Sequence, residues 1–99
     1  MIYELAEIEI IPNSHIDFEK TVAEAAPYFQ SAEGCLSFRL DKIAEKDNGY
    51  LLVVGWQSVR HHMELFRATD NFQQWRKLAS PFFAAPPKVV HTEHVFNAF

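Results

Sequence analysis

The chain has one cysteine, three glycines and no surplus of basic charge among its 99 residues. Each scarcity removes a class of function. A lone Cys35 cannot close an internal disulfide, which fits a reducing compartment. With so few glycines there is no glycine-rich phosphate loop, so a nucleotide cofactor has no visible binding device. The net charge of −4 argues against nucleic acid, whose phosphates need a basic patch. The longest apolar run, Tyr50 to Val54, is far too short to cross a bilayer. Met1-Ile2-Tyr3-Glu4 carries neither a basic segment nor an apolar one, so no secretory signal is expected and the cytoplasm is the expected location. No His, Cys, Asp or Glu set has metal-ligand spacing, and no metal is expected.

What is present is aromatic. Nine phenylalanines suggest a core or cavity rich in ring surface. Residues 1–99 are enough for one domain. Alternation from Ile2 to Ile11 predicts a first strand, with Ile2, Ala6, Ile8 and Ile10 on one face and Tyr3, Leu5, Glu7 and Glu9 on the other. Ser14 and Asp17 resemble a capping box. Phe18, Val22, Ala25 and Phe29 then recur at helical spacing, so a helix is expected from about His15 to Ser31, kinked or broken in its last turn by Pro27 and closed by Gly34. Cys35 to Ile43 reads as strand two, with Leu36, Phe38 and Leu40 on one face. Asp47-Asn48-Gly49 is expected to turn through positive φ into strand three, Tyr50 to Gln57, which is apolar on both faces and so covered on both.

Ser58 can cap a second helical region whose inner face is Val59, His62, Met63 and Phe66. Asp70 and Gln73 suggest a fresh start, followed by Phe72, Trp75, Ala79 and Phe82. Pro81, Pro86 and Pro87 separate it from strand four, Lys88 to Phe96. The order βαββαβ predicts an α+β, ferredoxin-like domain, an antiparallel four-stranded sheet with both helices on one face. The other face would carry the apolar groups of strand three, so a second copy is expected to cover it and make a homodimer.

His62 is the candidate base: its imidazole titrates near neutrality and its position aligns with Phe66. A semi-buried histidine bonded to backbone is the alternative. His61 points about a quarter-turn away and is expected in solvent, and adjacent histidines cannot converge on one metal. Trp56 and Trp75 either stack on a flat ligand or fill the core, and Phe66 and Phe72 are candidate walls. His91 shares a face with Glu93, with His94 opposite; His91 is a pocket candidate, although a dimer-interface role is preferred for the pair. Arg67 can pair with Asp70, hold an acidic ligand or simply stay solvated. Cys35 reads as a small buried hydrophobe.

The stretch "GWQSVRHHMELFRATDNFQQW" (residues 55–75), with "PFFAAPPKVVHTEHV" after it and "AEGCLSFRL" (residues 32–40) before it, resembles the antibiotic biosynthesis monooxygenase domains of the dimeric α/β-barrel superfamily. The points of likeness are Trp56, Ser58, His62, Phe66-Arg67, Phe72, Trp75, Leu78 and His91. The resemblance implies a dimeric α/β barrel with a pocket between sheet and helices in each protomer. It implies oxidation of an electron-rich aromatic or quinol by O2, with no metal or flavin, so no cofactor is expected. A related branch degrades haem with an Asn near the start of strand one and a His in the second helical region. Here no Asn stands near Tyr3, and Arg76-Lys77 occupy the place of that His. The expected partner is a small aromatic or hydrophobic molecule bound at His62, Trp56, Phe66, Phe72, Trp75 and His91. Two other readings stay open: a non-catalytic dimeric module that binds a small hydrophobic ligand or a partner protein, and cyclase or isomerase work on polyketides.

Overall fold

A computed structural model describes residues 1–99. The strands are β1 (Ile2–Glu9), β2 (Cys35–Lys42), β3 (Gly49–Trp56) and β4 (Lys88–Glu93), and the helices are α1 (His15–Gln30) and α2 (Asp70–Ala79). The sheet is antiparallel in the order β2-β3-β1-β4, and its helix-facing side bears the core. This is the ferredoxin-like α+β arrangement expected from the element order. No helix is long and apolar enough to cross a membrane.

The period-2 and period-3.6 patterns of the sequence meet in this core. Ala6 and Ile8 of β1, and Tyr50, Leu52, Val54 and Trp56 of β3, point at the helices and are buried. They meet Phe18, Val22, Ala25 and Phe29, the stripe of α1. Phe29 is the hub of the aromatic packing: its ring centroid lies 4.5 Å from Phe38, 4.9 Å from Phe66 and 5.3 Å from Trp75. Offset and edge-on contacts at these separations suit the ring quadrupoles. A second group joins Phe18 to Tyr50 and to Phe82.

Local chemistry departs from the sequence expectations at several ends. Ser14 does not cap α1; its hydroxyl donates backwards to the Ile11 carbonyl at 2.6 Å, beside Asn13 at φ 65°. The α1 helix runs through Pro27 unbroken to Gln30 and ends on Ser31, not on Gly34. Gly34 serves the following turn instead, at φ 79°, where a Cβ would stand 2.3 Å from the His61 ring. A bulge between Cys35 and Ser37 turns Leu36 out to solvent, off the face of Phe38 and Leu40. Gly49 has no positive φ; the β2–β3 connection closes with the Ile43 N–H on the Gly49 carbonyl and the Lys46 N–H on the Ile43 carbonyl. Thr69, not Asp70, caps α2, its hydroxyl accepting from the Phe72 N–H at 3.2 Å. Strand β4 stops at Glu93, and Val95 and Phe96 beyond it are exposed.

The position of Phe29 carries a stability prediction. Phe29→Ala is expected to cost about 3–5 kcal/mol in urea unfolding, because the surrounding rings cannot collapse into the void. Ile16→Ala, at a site 83% exposed on the same helix, should stay within about 0.5 kcal/mol of the parent. Similar losses for the two would remove Phe29 from its place as hub.

Candidate functional site

The even-numbered face of β1 has one residue that does not belong in an apolar core. Glu4 stands between Ile2 and Ala6 on that face and is 6% exposed. Antiparallel register sets it opposite Val54 of β3 and His91 of β4. Its carboxylate Oε1 accepts from the indole Nε1–H of Trp56 at 3.0 Å and lies 3.2 Å from Nε2 of His62. The other ring nitrogen of His62, Nδ1, is 2.9 Å from Nε2 of His91. Trp56, Glu4, His62 and His91 therefore form one contiguous polar chain across three strands and the helical layer, hydrogen-bonded at Trp56–Glu4 and His62–His91 and in close contact at Glu4–His62.

His62 reaches this chain because the backbone after β3 is not a regular α-helix. Ser58 begins the segment, its hydroxyl accepting from the His61 N–H at 3.3 Å, which fulfils its expected capping role. Residues His61–Leu65 then form a π turn, in which the Phe66 N–H reaches back to the carbonyls of His61 and His62. Phe66–Ala68 tighten into a 3-10 turn. The wide turn puts both His62 and Phe66 inward, 6% and 2% exposed, while Val59, expected on that face, is 40% exposed. The His62 ring stacks on Trp56 at 5.4 Å and 22°. His61 is half-buried rather than free in solvent: its Nδ1 bonds the Ser58 hydroxyl at 2.7 Å and its ring covers Gly34.

A cavity of about 400 Å³ opens above this chain, between β1, β4 and the second helical region. Ala6, Ile8, Leu52, Phe72, Trp75 and Phe83 supply its apolar wall; Glu4, His62 and His91 reach it from below; Arg67 and Arg76 stand beside Phe72. Of the residues read from the sequence, His62, Phe72, Trp75 and His91 line this space. Trp56 and Phe66 lie behind it, 0% and 2% exposed, in ring contact with each other. His91 is bonded to His62, while Glu93 is exposed and Arg67 forms no ion pair with Asp70. No cluster of three or more His, Cys, Asp or Glu side chains is arranged to hold a metal ion. Glu4 is the residue that sequence reasoning missed. Its signal was parity: an acid in phase with Ile2, Ala6 and Ile8 must be buried if they are.

Burial sets the protonation of the chain. It pushes the Glu4 carboxyl up to about 7, against the pull of the Trp56 hydrogen bond and the Arg67 charge. It pushes His62 down to about 4, helped by the charges of His91 and Arg67. The Glu4–His62 contact is therefore no permanent ion pair. Near neutrality the imidazole is uncharged and Glu4 is poised between acid and carboxylate.

Residues 1–78 match the sequence model of the antibiotic biosynthesis monooxygenase family. The uncharacterised protein YczJ of Bacillus subtilis is 32% identical over 95 residues, covering 96% of this chain and all of that protein. A crystal structure from Bordetella bronchiseptica, of a protein named for the same family, is 43% identical with a TM-score of 0.94 over 96% of this chain and 97% of its own. SnoaB of Streptomyces nogalater, a cofactor-independent oxygenase solved as a point mutant, shares the fold at a TM-score of 0.80 and 14% identity, over 98% of this chain and 95% of its own.

Opposed titrations make the site visible in folding experiments. From its ordinary 4.5 to about 7, the folded chain keeps a Glu4 proton that the unfolded chain has released. That contribution is complete below 4.5 and is lost as pH rises. From about 4 to its ordinary 6.5, the unfolded chain holds a His62 proton that the folded chain refuses. That contribution is complete above 6.5 and is lost as pH falls. Where the windows overlap the slopes cancel. Glu4→Gln should leave stability rising with pH between about 4 and 6.5. His62→Gln should leave it falling between 4.5 and about 7. Each slope reaches at most about 1.4 kcal/mol per pH unit. Denaturant melts across this range check it; parallel profiles for the two variants would contradict the assignment.

Proposed function

The chain belongs to the antibiotic biosynthesis monooxygenase family, and from that premise we propose that it is a cofactor-independent monooxygenase acting on an electron-rich aromatic or quinol-type small molecule. The observation that carries this reading is the buried Glu4–His62–His91 chain facing an aromatic-walled cavity. Such chemistry asks little of a protein: an apolar space for a flat substrate and O2, and a proton acceptor matched to neutral pH.

In this reading the Glu4–His62 pair is the proton acceptor, entered at Glu4. A substrate methylene flanked by aromatic rings gives up one hydrogen as a proton. The carbanion, delocalised as a phenolate, gives one electron to O2. The radical and superoxide combine and take back the proton as a hydroperoxide. Loss of water then leaves a carbonyl, so that one methylene and one dioxygen become one ketone and one water. His62, expected from the sequence to be the base alone, stays neutral here, its Nε2 3.2 Å from the Glu4 carboxylate and its Nδ1 hydrogen-bonded to His91. Trp56 fixes the carboxylate from the other side. A space filled by side chains would have suited a non-catalytic module; the open cavity supports an enzyme.

Purified protein supplied with anthrones and quinols in air should consume oxygen faster than the uncatalysed rate. Glu4→Gln should slow turnover about 10²–10⁴-fold, with a smaller loss for His62→Gln. Product formation that persists without oxygen would instead point to an isomerase or cyclase, and uptake at the background rate across the panel would defeat the oxygenase reading.

We also propose a homodimer formed sheet to sheet. Leu5, Leu51, Val53 and Val90 share the face away from the helices, and Val90 is 59% exposed. A second copy would dry this face. Light scattering should give twice the chain mass of 11.5 kDa, and a Leu51→Glu, Val90→Glu double variant should give one chain mass with the helix signal retained. A parent that is already monomeric at working concentration would sink the dimer.

A further inference from the structure

The proton chemistry above leaves Arg67 and Arg76 without a task. The chain has four arginines. Arg39 and Arg60 are paired with Asp41 and Glu64 at 3.1 and 2.9 Å. Arg67 and Arg76 line the cavity, and neither has a carboxylate within ion-pair distance. That is unexpected in a chain with 13 acids and 9 bases. Both guanidinium groups lean on the same ring, 5.6 and 5.8 Å from the centroid of Phe72. Phe72 thus carries two unneutralised, planar donor forks on the cavity wall, while the acid Glu4 reaches the same cavity from the sheet.

We propose that the substrate is an anionic aromatic, its carboxylate held by Arg67 and Arg76 and its reacting ring turned toward Glu4. Guanidinium forks match a carboxylate in a bidentate way that no neutral group reproduces. The charge distribution also fixes direction. A carboxylate near Glu4 would face a second buried acid, whereas at the arginines it meets two cations. A cavity of about 400 Å³ suits a molecule of two or three fused rings. The inference rests on the cavity being the substrate site, but binding can be read without turnover.

The experiment compares two probes of one shape, 3-hydroxy-2-naphthoate and its neutral 3-hydroxy-2-naphthamide, by calorimetric titration at neutral pH and low salt. The acid should bind at least about tenfold more tightly than the amide, a difference of about 1.4 kcal/mol. Arg67→Gln and Arg76→Gln should each shrink that preference and the double variant should abolish it, the acid losing at least about tenfold more affinity than the amide. Added salt should erode the preference as well. Equal affinities, no binding of the acid, or a preference that survives the double variant would overturn the proposal. A clear acid preference with no oxygen uptake would leave it standing and defeat only the oxygenase reading; oxygen uptake with no acid preference would do the reverse.

Discussion

A carboxyl group under the helical layer is the costliest placement in this molecule, and much of the site exists to accommodate it. An isolated carboxylate in an apolar interior would be expelled or neutralised. Glu4 is retained because Trp56 and His62 both reach its Oε1. Each of those partners then needs its own support. Trp56 is held by stacking on His62 and by Phe66; His62 is held by the π turn and by His91. Phe66 in turn rests on Phe29, the hub of the core. The polar chain and the aromatic core are thus one packed object, with no unsatisfied buried side-chain nitrogen or oxygen. A half-satisfied network would cost more than an apolar replacement, so this one is complete at this depth.

The broad fold is legible in the sequence because its signals are periodic. Alternation in β1 and β3 and the Phe18, Val22, Ala25, Phe29 stripe each repeat often enough to be read from one chain. What escapes such reading is chemistry that depends on one atom's partner. Ser14 has a capping residue's type and position, yet its hydroxyl turns back to Ile11. Asp70 looks like a cap and stands one residue from the true one, Thr69. Gly34 has the special backbone its residue type suggests, but in the turn beyond the helix end. The bulge that flips Leu36 leaves no trace in composition, since a one-residue insertion in a strand looks like a strand.

The site is half legible for a related reason. His62, Phe72 and Trp75 stand out as conspicuous residue types on apolar stripes. Helical spacing also predicts Val59 inward, and the π turn breaks that phase while keeping His62 and Phe66 inside. Glu4 is easy to pass over because a strand rich in acids hides the one that is out of place. Glu7, paired with Lys46, and Glu9 point away from the helices and keep solvent contact; Glu4 differs from them in parity. His91 reads as an interface residue because pairing registers cannot be known from sequence. The antiparallel register sets His91 opposite Glu4 and within hydrogen-bond reach of His62.

Arg67, beside Phe72, and the buried pair beneath it are electrostatically one system. The Arg67 charge favours the ionised form of Glu4 and disfavours the charged form of His62. Both effects make the pair less basic. An anion seated on Arg67 would cancel part of that field, so Glu4 would become a stronger proton acceptor once such a ligand is bound. That coupling follows from placing an unpaired cation, Arg67, within the field of a buried acid, and it would be weaker had Arg67 been neutralised by Asp70.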